Sequence, residues 1–104
     1  MSDRTEVLKQ MLARDPANAF ARYGLAMELV KSGQLAGAVA EFRVLLERNP
    51  NYAAAYFHGG QALEKLGEIE QARDLYEKGI AVTGRTGDGH AQSELQAALD
   101  MLPL

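Results

Sequence analysis

Apolar residues recur every three or four positions along most of this chain, the spacing that gathers them on one side of an α-helix. From Asn18 to Lys31 the pattern runs through Leu25, Ala26, Leu29 and Val30, and Ser32-Gly33 then stops it. From Leu35 to Arg48 it runs through Ala38, Phe42, Leu45 and Leu46 before Asn49-Pro50 ends it. Proline disfavours the helical conformation in the residue before it, so Asp15-Pro16 and Asn49-Pro50 both mark helix ends. The same succession returns over 52–65 and 69–82. Asp3 to Arg14 and Asp88 to Met101 each predict one more helix, the last following a loop at Thr83-Gly84-Arg85-Thr86-Gly87.

Displacing the chain by about 34 residues, a period known for helical repeats, sets many positions in register. Pro16 meets Pro50, Ala21 meets Ala55, Leu29 meets Leu63, Lys31 meets Lys65, Gly33 meets Gly67 and Ala38 meets Ala72. Tyr23 meets Phe57, Ala26 meets Gly60, Phe42 meets Tyr76 and Leu46 meets Ile80. Chance would not keep small on small and aromatic on aromatic. A two-helix unit leaves apolar surface on both flanks, which only stacking can bury. The expected fold is therefore an all-α, helical-hairpin repeat solenoid of about six helices. It divides into a half repeat (3–14), two full repeats (19–52 and 53–86) and a capping helix (88–101). Leu8, Leu12, Leu25, Leu29, Phe42, Leu45, Leu46, Leu63, Leu75, Tyr76 and Ile80 form the expected core. Each, fully buried, contributes about 1.5–3 kcal/mol.

Period, pairing and residue types together resemble the tetratricopeptide repeat family over about residues 4–100. That family places a bulky residue, Leu-Gly and Tyr in the first helix and glycine in the turn. Ala and an aromatic follow in the second helix, then a closing proline. The first repeat fills those slots with Arg22, Leu25-Ala26, Leu29, Gly33, Ala38, Phe42 and Pro50. The second fills them with Tyr56, Gly59-Gly60, Leu63, Gly67, Ala72, Tyr76 and Gly84. Gly60 and Ala26 hold the small slot where the paired helices meet. Gly59 departs from the expected leucine, leaving room for an aromatic such as Tyr56 or Tyr76. Arg22 departs from the expected apolar residue. Gly84, in place of proline, implies a looser loop before the last helix.

In arrays of this kind the first helices line a concave surface where partners dock. Carried over by slot, that surface takes Phe20, Tyr23, Met27, Val30 and Lys31 from the first repeat. The second repeat supplies Ala54, Phe57, His58, Gln61, Glu64 and Lys65, and Ala91, Gln92 and Leu95 would complete the wall. The stripe of Phe20, Tyr23 and Met27 is either core or an exposed patch of the sort that marks interaction sites. If exposed, it suits the apolar anchors of an amphipathic helix or extended peptide. One subclass of the family clamps a partner's acidic C-terminal carboxylate with Lys and Asn. Those slots hold Tyr23, Met27 and His58 here, so no clamp is expected.

Composition narrows the rest. The 104 residues, 47% hydrophobic and 24% charged, belong to an ordered globular chain rather than a disordered one. Zero cysteines exclude disulfides and cysteine-held metals and fit a cytoplasmic location. The polar start MSDRTEVLKQ lacks the apolar stretch of a signal peptide. No segment approaches the ~18 apolar residues of a membrane span. Net charge is −3 and the 11 Lys and Arg are scattered, so no basic stripe suits nucleic acid. Ser2, Ser32 and Ser93 lack the strand–turn–helix setting of a nucleophile. GRTGDG at 84–89 lacks the Lys-Ser/Thr of a phosphate loop and is expected to be a flexible linker. His58 and His90 are two potential ligands, too few for a zinc site. Glu41 with Glu47, and Glu68 with Glu70, are expected on solvated faces. The expectation is thus a non-catalytic protein-interaction module, without cofactor or metal. It would receive a peptide or helix in the groove, with Lys31, Glu64 and Lys65 on the rim. The rival is a self-associating unit that buries the same stripe against its own copy.

Overall fold

A computed structural model describes residues 3–103 and contains six helices. They are α1 (Asp3–Arg14), α2 (Ala19–Lys31), α3 (Leu35–Arg48), α4 (Ala53–Lys65), α5 (Ile69–Thr86) and α6 (Gly89–Asp100). Short connections turn each helix back along its predecessor, and every consecutive pair packs together. The first helices α2, α4 and α6 also touch in sequence, which is what stacking of hairpins requires. The fold is an all-α repeat solenoid measuring 38 × 29 × 19 Å.

The turns show why the repeat holds its length. After α2 the Gln34 N–H donates to the Leu29 carbonyl and the Gly33 N–H to that of Val30. After α4 the Glu68 N–H donates to Leu63 and the Gly67 N–H to Glu64, the same double closure. Both closures need a left-handed residue, and Gly33 and Gly67 supply it at φ 78° and 80°. At the other end Asn18 caps α2, its side-chain oxygen accepting from the Ala21 N–H at 3.0 Å.

The core is continuous but graded. Leu8, Leu12, Ala21 and Leu25 join α1 to α2; Ala26, Ala38, Phe42, Leu45 and Ala55 join α2, α3 and α4. The largest cluster spans α3 to the C-terminal segment, around Tyr56, Leu63, Leu75, Tyr76 and Leu95. Leu29, Leu46 and Ile80, expected inside, are half-buried residues packed against these clusters.

Four local expectations are corrected. The loop expected at 83–87 is helical as far as Thr86, and GRTGDG is no linker: Gly87, at φ 76°, ends α5. The cause is the missing proline, since Gly84 leaves the backbone free to continue. Burying Val82 and Thr83 then rewards the added turn. Asp88 caps α6 by accepting from the Ala91 N–H at 3.1 Å. Gly59 makes room for Leu75 and Phe42, not Tyr56 or Tyr76: a Cβ there would lie 2.9 Å from Leu75 Cδ2. Arg22 works as a polar substitute for the bulky residue. Its guanidinium donates to the Pro16 carbonyl at 2.9 Å, as the Tyr56 hydroxyl does to Pro50 one repeat later at 2.7 Å. It also pairs with Glu41 at 2.7 Å, so Glu41 is a half-buried partner rather than a solvated carboxylate.

Candidate functional site

The exposed side of α2, α4 and α6 forms a shallow groove, and its side chains are placed by how tightly each helix must approach its neighbour. Gly60 lets α4 lie against α5, because a Cβ there would fall within the Tyr76 ring. Gly79 does the same between α5, α4 and α6: a Cβ would come 2.7 Å from Tyr56 Cβ and 2.9 Å from Leu95 Cδ1. These approaches hold α4 and α6 close against α5.

On α2, Phe20 is 68% exposed, whereas Tyr23 and Met27 are half-buried against the Phe42 cluster. The stripe is therefore split: its outer end is patch and its inner part is core margin. Tyr23 sits in an aromatic knot, with ring centroids 5.3 Å from Tyr52, 6.1 Å from His58 and 6.2 Å from Phe42. Burial, and secondarily Tyr52, push its phenol above the ordinary tyrosine range. His58 lies between Tyr23 and Phe57, the latter edge-on at 5.2 Å. Burial pulls its imidazole below its usual value, with Gln61 and the Glu94 charge opposing. It therefore sits in the groove as a neutral ring at pH 7.

Lys31 is exposed and turned towards α1. It lies 3.7 Å from Glu28, which Arg4 also reaches at 3.2 Å, and Lys31 and Glu28 border a separate polar hollow with Thr5 and Lys9. Lys65 is exposed in the last turn of α4. Glu64 is half-buried and accepts a hydrogen bond from the Tyr76 hydroxyl, which burial and that carboxylate raise far above the ordinary tyrosine range. His90 is exposed beside Glu94 at 3.6 Å.

The wall supplied by α6 differs from expectation. Gln92 faces α5, donating to the Ile80 carbonyl at 3.3 Å, while Leu95, 1% exposed, is a core residue that also borders the α4–α6 hollow. Ala91 does face α4, and it is joined there by Glu94, Ala98 and Met101, which the repeat register did not select. The extended α5 and the short Gly87-Asp88 turn shift the register of α6 by two residues: α2 and α4 begin 34 residues apart, α4 and α6 begin 36 apart, at Ala53 and Gly89. Counting from the capping aspartate instead of the period carries His58 onto Glu94 and Lys65 onto Met101, two of these residues.

Between α4 and α6 the groove has two connected parts. The upper, of about 220 Å³, is bordered by Ala53, Ala54, Phe57, His58, Asp88, Ala91, Glu94 and Leu95. The lower, of about 450 Å³, adds Gln61, Glu64, Ala98 and Met101. Met101 is 85% exposed, the largest such value among the exposed apolar side chains.

This is the arrangement of a helical-hairpin repeat protein. The tetratricopeptide repeat profile matches residues 5–56 and 29–99, and the chain belongs to that family. It is 31% identical over 97 residues to a TPR repeat-containing protein of Pseudomonas aeruginosa, covering 93% of this chain and 92% of that one. It is similar to a tetratricopeptide repeat domain protein from Salinibacter ruber, with 39% identity and a TM-score of 0.76 over 82% of this chain and 86% of that one. The TPR2B domain of yeast Sti1, solved as a pHsp70 complex, shares the fold at a TM-score of 0.85. It has 20% identity, over 91% of this chain and 76% of that one. Repeats of this family generally serve as protein-interaction modules and typically carry no chemistry of their own.

Proposed function

We propose that this chain is a non-catalytic docking module that receives a peptide or helix of a protein partner along the α2–α4–α6 groove. The observation that carries the reading is apolar surface left open along the first helices: exposed Phe20 on α2, and exposed Met101 after α6 bordering one hollow with the half-buried Phe57 of α4. Water-exposed apolar side chains on a preformed concave face gain by being covered. The Sti1 domain, of the same fold, was solved in complex with pHsp70, an instance of this architecture holding a partner. Phe57, Gln61 and His58 form the floor, with Tyr23 and Met27 contributing their edges.

Photo-crosslinking tests it. A crosslinking residue placed at Gln61, inside the groove, should capture a protein partner in cells of the source organism. The same residue at Glu47, in the hollow between α3 and α5, should not. The captured band should vanish in a Phe20→Glu/Met101→Glu variant that keeps its helical circular dichroism. Equal capture from both positions, or capture indifferent to the variant, sinks the groove reading. Sedimentation of the same proteins separates a foreign partner from a second copy: a dimer dissolved by the substitutions would place the rival, self-association, in the groove.

A further inference from the structure

The α4–α6 half of the groove has one sign of charge. Asp88, Glu94 and Glu64 border it, and no Lys or Arg does. These carboxylates are not equally occupied. Asp88 is engaged through Oδ1 as the cap of α6. Glu64 accepts the Tyr76 hydroxyl through Oε2, leaving Oε1 without an intramolecular partner. Glu94 has the long 3.6 Å approach of His90 and is itself half exposed. Two acceptors thus stand over an apolar surface of Phe57, Ala98 and Met101.

We propose that this half of the groove selects a basic amphipathic segment of a partner protein. A large apolar side chain would cover Phe57 and Met101, and a Lys or Arg beside it would pair with Glu94 and the free Oε1 of Glu64. The inference rests on the docking function above and adds the chemistry of the occupant. Acidic segments are disfavoured, because like charges brought together in a confined groove repel and lose hydration. A guanidinium suits the site better than an ammonium, since its planar donors can reach a carboxylate while its body lies on Phe57.

Selection from a random peptide display library on the immobilised full chain tests this, followed by titration of the best binder. The enriched peptides should join bulky apolar residues to Lys or Arg. Binding should weaken roughly tenfold in Glu64→Gln/Glu94→Gln and fall in high salt, where charges are screened. Glu94→Gln alone, at a half-exposed position, should give part of the loss with an unchanged melting point. Enriched peptides that are neutral or acidic, or that ignore the glutamine variants, overturn the charge selection and leave groove docking standing. No enrichment at all overturns both. A homodimer dissolved by Glu94→Gln would make the occupant a second copy and overturn the foreign partner.

Discussion

Gly59 and Gly60 are adjacent in the interior of α4, where each costs about 1 kcal/mol relative to alanine. Their reasons differ: one admits Leu75 and Phe42, the other the Tyr76 ring. The second reason is legible in the repeat, since Ala26 holds the same slot. The first is not, because no spacing tells which neighbour leans into a gap. Gly60→Ala should lose ~1–3 kcal/mol by overpacking despite its better helix propensity. Gly37→Ala, whose Cβ would rest 3.7 Å from Leu29 Cδ1, should gain about 0.5 kcal/mol. Urea unfolding of both reads the difference, and equal signs would refute the packing. His58 gives a pH signature. Its folded pKa is lowered, so the unfolded chain binds the proton more readily and the neutral ring stabilises the fold above pH 6.5. That contribution should fade as pH falls from 6.5 through the lowered value. The unfolding midpoint should drop between neutral and mildly acidic buffer, and drop less in His58→Gln.

At the scale of elements, helix type and order were readable from apolar spacing, and Gly33 and Gly67 marked two of the stops. The run of α5 through Thr86 was not. Glycine is a stop only where the chain needs a left-handed residue, and Gly84 meets no such need while Gly87 does. What decides is burial of Val82 and Thr83, together with the Gln92 side chain, whose Nε2 lies 2.9 Å from where a Cβ on Gly84 would stand. Restoring the family proline makes this testable. Gly84→Pro should break the last turn of α5 and lose about 3 kcal/mol, lowering both helicity and melting temperature. A neutral outcome would mean that the turn contributes nothing. The displaced α6 follows from the same extension, which is why counting by the repeat period put Gln92 on the groove wall, whereas the structure bonds it to α5.

For the whole molecule, stacking is the stabilising event. Phe42 is fully buried where α2, α3 and α4 meet, and its ring also borders Gly59 and Tyr23. Phe42→Ala should lose ~3–5 kcal/mol, a large share of what a domain this size holds. Thermal unfolding followed by circular dichroism should therefore shift down steeply; a shift of a few degrees would mean that hairpins stand independently. The pattern of apolar positions by itself determined six helices, their pairing and the small, aromatic and turn slots, because those depend on spacing along one chain. Which face of α6 meets α4, how Phe20 is left open while Tyr23 is half covered, and the gathering of Glu64 with Glu94 were decided only in three dimensions. Those outcomes depend on how far α5 runs before it turns, and burial between helices sets that length.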